Sequence, residues 1–248
     1  MVFDGHVVLL HAFPLNATMW RPQVEGVPAG WRVITPDLPG FGNSSDPPVN
    51  TMTGMAEHVL RALDSMGLER AVIGGLSMGG YVTLALYRLA PERFEAMILA
   101  DTRATADNDT QKEGRRKMIA TVRAKGATAV ADEMLPKLLG ATSQKEHPDL
   151  ATTVRGMIES TAPDAIAAAA EAMMNRPDST SLLASIEIPA LIVCGEEDVL
   201  TPPVDARALH QQIRASRLEL LPGAGHLSNL EAPARFSGAL RDFLITLR

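Results

Sequence analysis

The chain has 248 residues, with 23 Lys and Arg against 29 Asp and Glu for a formal net charge of −6, and 46% of its residues are hydrophobic. That composition suits one α/β-sized domain with a large core. The absence of any Lys/Arg-rich run argues against a nucleic-acid or anionic-membrane surface, either of which needs a clustered positive footprint.

The first apolar run, His6-Val7-Val8-Leu9-Leu10, is rich in β-branched residues and predicts a buried strand. Trp31-Arg32-Val33-Ile34-Thr35, ended by Pro36, predicts another. A helical pattern over Thr53 to Met66 leads to a strand at Ala71-Val72-Ile73-Gly74, a helix over Met78 to Leu89, and a strand at Ala96-Met97-Ile98-Leu99-Ala100. From about Arg103 to Ser185 the alternation stops. Helices are predicted at Thr110 to Lys125, Ala127 to Leu139, Pro148 to Thr161 and Pro163 to Asn175, the last containing an alanine-rich run with high helix propensity. Alternation resumes with a strand at Ala190-Leu191-Ile192-Val193-Cys194, a helix from Pro203 to Gln212, a weaker strand at Leu218-Glu219-Leu220-Leu221 and a helix from Pro233 to Leu247. Strands alternating with helices imply a mostly parallel sheet covered on both faces. The expected organisation is a core of residues 1–102 and 186–248 with a helical cap inserted at 103–185.

The insertion has no Phe, Tyr or Trp but holds Met118, Met134, Met157, Met173 and Met174. Their ordinary role is to pack the insertion on the sheet, and any pocket wall they supplied would be aliphatic and adaptable. The single cysteine, Cys194, lies in an apolar strand and reads as a reduced, buried thiol, which points to a reducing, cytoplasmic compartment. No basic segment precedes an apolar stretch at the start of the chain, so nothing there reads as a secretory signal. The longest uncharged stretch, Ala71 to Tyr87, is too short and too glycine-rich for a membrane span.

Gly75-Leu76-Ser77-Met78-Gly79 sits between a predicted strand and a predicted helix. A sharp strand-to-helix turn strains its central residue and crowds the positions two before and two after, so both must be glycine. Such a turn would lift the Ser77 hydroxyl clear of the sheet edge and leave the Met78 N–H at a helix start, able to stabilise an oxyanion. Serine needs a base within reach. His6, His58, His147 and His210 fall on elements where a surface or packing role suffices. His226, in Pro222-Gly223-Ala224-Gly225-His226 after the last strand, lies at the sheet edge where open α/β folds bind ligands. The orienting acid is expected in Gly195-Glu196-Glu197-Asp198, with Asp198 preferred, Glu196 and Glu197 solvated, and Asp101 a second candidate beyond its own strand. The order Ser77, Asp198, His226 is that of α/β-hydrolases.

With these motifs the sequence resembles the α/β-hydrolase superfamily over nearly its whole length, and within it the esterase, perhydrolase and 3-oxoadipate enol-lactonase-like group. His11-Ala12-Phe13-Pro14 is similar to the family's His-Gly-x-Pro oxyanion loop, and Pro36 to Ser44 to its loop after the next strand. The resemblance implies a second oxyanion donor at the Phe13 N–H, a bracing role for His11, and hydrolysis of a small-molecule ester or lactone through an acyl-enzyme with no metal or organic cofactor. Carbon–carbon bond hydrolysis, thioester cleavage, peracid formation, or a slow-turnover ligand-binding receptor are alternatives on the same scaffold. Serine at the elbow disfavours the dehalogenase and epoxide hydrolase routes, which use aspartate there. Ala12 replaces the usual glycine, and the leading β-hairpin is reduced, suggesting about six strands and an edge that a homo-oligomeric partner is one way to cover. Trp20, Phe13 and the insertion's methionines are expected to shape the pocket. An acidic substrate would want a cation, and Arg103 is the nearest, although an arginine so placed ordinarily pairs with a surface carboxylate or a helix end.

Overall fold

The computed structural model describes residues 5–248. Six strands form one fully parallel sheet: β1 (Gly5–Leu10), β2 (Trp31–Ile34), β3 (Ala71–Leu76), β4 (Phe94–Ala100), β5 (Ala190–Gly195) and β6 (Ser216–Leu221), in the order β2-β1-β3-β4-β5-β6. β3, β4 and β5 have helices on both faces, which is why they read as continuous apolar runs and not as alternating ones.

Between β1 and β2 a single turn of 3-10 helix leads into α1 (Arg21–Gly26); α2 (Met52–Ser65) and α3 (Met78–Leu89) flank β3. After β4 come α4 (Asp109–Leu138), α5 (Ala141–Glu146), α6 (Pro148–Glu159), α7 (Pro163–Met174) and α8 (Thr180–Leu183), with no strand among them. The chain closes with α9 (Pro203–Gln212), α10 (Ser228–Glu231) and α11 (Pro233–Ile245). α1 packs on α11 and α2 on α3, while α4 packs on α6 and α7. The expected helix pair at 110–125 and 127–139 is a single run broken at Gly126, whose φ of +79° is costly for any residue with a Cβ. Asn108 caps α4 by accepting from the Gln111 N–H while the Gln111 side chain accepts from the Asn108 N–H, a reciprocal capping box.

Trp20 is fully buried against Phe236, with ring centroids 5.8 Å apart, so it belongs to the core and not to a pocket wall. No helix among the described residues is long and apolar enough to cross a membrane.

β1 leads outward to β2, and the chain then crosses back to place β3 on the other side of β1. That reversal is a topological switch point, and the crevice beyond the carboxyl ends of β1 and β3 is where such sheets bind ligands. The register Leu10 to Gly75 brings the loop after β1 beside the turn after β3.

Candidate active site

Ser77 sits in the turn between β3 and α3 with φ +55° and ψ −112°, a strained backbone for a residue with a side chain. The crowding inferred from the sequence is present: a Cβ on Gly75 would lie 2.4 Å from the Gly79 carbonyl carbon, and one on Gly79 would lie 2.2 Å from the Leu10 oxygen. The turn is held from below, since Ser77 N–H donates to the Ala100 carbonyl (2.9 Å) and the Thr102 hydroxyl donates to the Ser77 carbonyl (2.9 Å).

Ser77 Oγ lies 2.8 Å from His226 Nε2, and His226 Nδ1 lies 2.8 Å from Asp198 Oδ2. All three residues are buried, with 8% of Ser77 still exposed toward a cavity. A carboxylate facing Nδ1 requires the proton there, which leaves Nε2 free to accept from the serine hydroxyl. Asp198 is itself fixed. Its Oδ1 accepts the Leu200 N–H (2.8 Å) and Thr201 N–H (3.0 Å), and its Oδ2 accepts the Thr201 hydroxyl (2.7 Å). Burial pushes the Asp198 carboxyl up, but the facing imidazole and these hydrogen bonds outweigh burial and hold it below the usual range. The arrangement fits a catalytic triad.

The loops that carry Asp198 and His226 touch backbone to backbone. A Cβ on Gly195 would sit 2.1 Å from the Gly225 oxygen, and one on Gly225 would sit 2.2 Å from the Gly140 nitrogen between α4 and α5, so neither position tolerates a side chain. Asp101, the second candidate acid, does not reach His226. Its Oδ1 accepts the Gly195 N–H (2.8 Å) and its Oδ2 accepts the Ser228 hydroxyl, so one buried carboxyl joins the loop before Asp198 to the loop after His226. Burial, then the nearby Asp198 charge, push the Asp101 carboxyl well above the usual range. Its φ is +42°, a conformation asparagine tolerates well. Asp101→Asn keeps both hydrogen bonds, since Oδ1 still accepts from Gly195 and the amide can donate to the Ser228 oxygen, and, like the uncharged carboxyl that burial favours, it places no charge beside Asp198. Asp101→Ala leaves two buried groups unpaired, at about 1–3 kcal/mol each. Thermal melts should therefore rank asparagine at or above the parent and alanine at least about 4 °C below; the reverse order would contradict this role for Asp101.

Around Ser77, no hydrogen bond among the described residues claims the Phe13 or Met78 N–H. His11 is buried; its Nδ1 bonds the Ala12 carbonyl (3.0 Å) and its Nε2 accepts the Leu38 N–H (3.0 Å), tying the loop after β1 to the loop after β2. Burial pushes its pKa down to about 4, which keeps the ring neutral and able to accept that bond. Ala12 does not have a positive φ, so alanine in place of the family's glycine adds no backbone strain.

Ser77 and His226 open on a cavity of about 490 Å³ whose walls also include Phe13, Met118, Met134 and Met173. Three of the five methionines noted in the insertion thus line it. Glu196 is exposed as expected, but Glu197 is not simply solvated: it accepts the Thr142 N–H and hydroxyl, tying α5 to the acid loop, and those bonds hold its carboxyl low. Nothing in the sequence singles out Thr201, Thr102 or Ser228, because a hydroxyl that serves one tertiary hydrogen bond leaves no pattern along the chain. Among the described residues, Asp101, Cys194 and Asp198 are the one group of three metal-type donors that lie together, with their donor atoms within 4.8 Å. Both carboxylates are already occupied by hydrogen bonds, and burial pushes the Cys194 thiol far up, so it offers no thiolate.

This geometry is that of an α/β-hydrolase, and the sequence matches the alpha/beta hydrolase fold family over residues 5–233. The chain belongs to that family. Among proteins it resembles, 3-oxoadipate enol-lactonase 1 of Acinetobacter baylyi is 28% identical over 242 residues, covering 98% of this chain and 89% of the relative. A thermophilic esterase from Thermogutta terrifontis, solved with malate bound, shares 40% identity with a TM-score of 0.95 over 99% of this chain and 91% of that one. The enol-lactonase from Burkholderia xenovorans LB400 shares 29% identity with a TM-score of 0.90 over 97% and 91%.

Proposed function

We propose that this protein hydrolyses a carboxylic ester or lactone of a small molecule, with Ser77 as nucleophile, His226 as general base and acid, and Asp198 as the group that orients and charges the imidazole. Ser77 Oγ adds to the carbonyl carbon as its proton passes to His226 Nε2. The Phe13 and Met78 N–H groups hold the oxyanion of the tetrahedral intermediate. Collapse expels the alcohol, which takes the proton from His226, and leaves an acyl group on Ser77. A water then loses its proton to His226 and adds to the acyl carbon; collapse breaks the bond to Ser77 Oγ, which takes the proton back from His226 as the acid is released. In a lactone the alcohol remains tethered to the acyl group, so ring opening and product release are the same two steps. Residues 103–185 act as a cap that closes the cavity over the nucleophile.

One observation carries this reading: the unbroken pair of 2.8 Å contacts from Ser77 through His226 to Asp198, with the serine facing the cavity. Esterase and enol-lactonase relatives of nearly equal length support it. A fluorophosphonate probe tests it directly. Mass spectrometry should find one phosphonyl group per chain on Ser77, and hydrolysis of short-chain aryl esters should fall in proportion to labelling. Turnover that survives stoichiometric labelling, or labelling at another residue, would overturn the assignment.

A further inference from the structure

The cavity that holds Ser77 is electrostatically unlike the rest of the chain. The protein carries a net charge of −6, yet among the described residues the ionic side chains lining this cavity are Arg103, Arg115, Lys117 and Lys137 against Glu133. Lys117 and Lys137 are exposed, whereas Arg115 and Arg103 lie deeper.

Arg103 differs from Arg115 and Arg176 in having no hydrogen-bonded partner among the described residues. The buried carboxylate of Asp107 is already taken: Arg176 Nη1 donates to Oδ1 at 2.7 Å and Arg115 Nε to Oδ2 at 3.1 Å. Arg176 is further occupied by the carbonyls of Met173 and Thr105 and lies over the Tyr81 ring at 4.0 Å. Arg103 is left with Asp107 at 3.7 Å and Asp205 at 4.0 Å, both beyond hydrogen-bond reach. Its side chain is only 13% exposed, and its buried Nε–H has no acceptor among the described residues. A guanidinium offers five donors in a planar fork that matches a carboxylate in a bidentate pair. The expected pairing of this arginine with a surface carboxylate is present in Asp205, in the first turn of α9, but at 4.0 Å it leaves the guanidinium donors without a hydrogen bond.

We propose that Arg103 is the anchor for a carboxylate carried by the substrate, so that the cavity selects monoanionic esters or lactones, such as half esters of short dicarboxylic acids, over neutral ones. The ester end of this statement rests on the hydrolase reading above; the anion site does not. One carboxylate on Arg103 and one carbonyl at Ser77 would fix a small substrate at two points of the same cavity. Lys117 and Lys137 at its exposed wall would draw anions toward it, a contribution that salt screens.

The test pairs monomethyl glutarate with methyl pentanoate in a pH-stat and adds titration calorimetry with glutarate, which needs no turnover. The parent protein should prefer the half ester by about ten- to a hundredfold in kcat/KM. Most of that preference should lie in KM and should shrink as NaCl rises. Glutarate should bind the parent. Arg103→Met should lower the ratio of half-ester to neutral-ester kcat/KM at least tenfold and abolish glutarate binding, with Arg103→Lys intermediate because it keeps the charge but loses the fork. Ser77-dependent turnover of methyl pentanoate without preference for the half ester, and without glutarate binding, would overturn the anchor while leaving the hydrolase reading in place. Glutarate binding that depends on Arg103, with neither ester turned over, would uphold the anchor and count against the hydrolase reading. If Arg103→Met fails to fold, the parent's selectivity ratio and its salt dependence decide: a ratio of one or below at low salt overturns the proposal.

Discussion

Ser77→Ala is expected to lower kcat on any ester the protein hydrolyses by roughly 10⁵- to 10⁶-fold, with KM little changed. The change removes one atom, the oxygen that faces Nε2, and leaves the cavity walls and the Phe13 and Met78 N–H groups where they are. What survives is the catalysis those groups provide by binding and polarising the carbonyl. The fold should tolerate the change, because serine and alanine share the Cβ that makes φ +55° costly, so the strain at the turn is the same in both. A melting temperature within about 2 °C of the parent would confirm that chemistry alone was lost. The stronger form of the test is non-additivity. In the proposed mechanism serine and histidine act in one proton transfer, so adding His226→Ala to Ser77→Ala should cost little more, although His226→Ala alone should cost nearly as much as the serine variant. A loss below tenfold for Ser77→Ala, or additive losses in the double variant, would show that another group carries out the attack.

How much of the molecule could be read from the chain depended on where each residue sits in the sheet. β3, β4 and β5 are buried on both faces, so they appear as unbroken apolar runs bounded by turns, and their predicted limits lie within two residues of the observed ones. β6 gave a weaker signal because it is an edge strand whose first residues, Ser216 and Arg217, are polar and partly or fully exposed. α1 gave none: Pro22 and Gly26 bracket a single turn whose buried side chain is Gln23, which donates to the Asn229 carbonyl, while Val24 faces outward. That helix exists because α10 and α11 pack against it, and no local pattern encodes a tertiary partner.

The site was legible where covalent geometry dictates residue type and illegible where only distance does. Glycines flanking Ser77, and the glycines before Asp198 and His226, are forced by atoms that would otherwise overlap, and a sequence displays them openly. The sequence prefers Asp198 but leaves Asp101 open, since both follow strands; the fold separates them, because Asp101 faces the Gly195 N–H and the Ser228 hydroxyl instead of the imidazole. The positive lining of the cavity was hidden for a related reason. Arg115, Lys117 and Lys137 are ordinary charges of an amphipathic helix when read along α4, and only the break at Gly126 folds the two halves of that helix so that both contribute to one cavity.

Asp198→Asn is expected to lower kcat by about 10⁴-fold although it preserves the shape of the site. The direction follows from what pins the side chain. The Leu200 and Thr201 N–H groups both donate to Oδ1, so an asparagine must keep its carbonyl oxygen there and turn its amide nitrogen toward His226 Nδ1. An N–H cannot accept from Nδ1–H. The imidazole therefore takes the other tautomer, with its proton on Nε2 facing Ser77, and has no lone pair with which to receive the serine proton. The predicted loss corresponds to about 5.5 kcal/mol of barrier, larger than any reasonable change in substrate binding. The same substitution reports on stability through pH. Because the parent carboxyl lies below its unfolded value, its contribution to the folded state is complete above about pH 3.9 and is lost as pH falls through the folded value. The asparagine variant has no such contribution at any pH, so its deficit in melting temperature should be constant from pH 5 to neutrality and narrow below about pH 4. Activity within tenfold of the parent, or a deficit that grows in acid, would mean that Asp198 is not the ionised partner of His226.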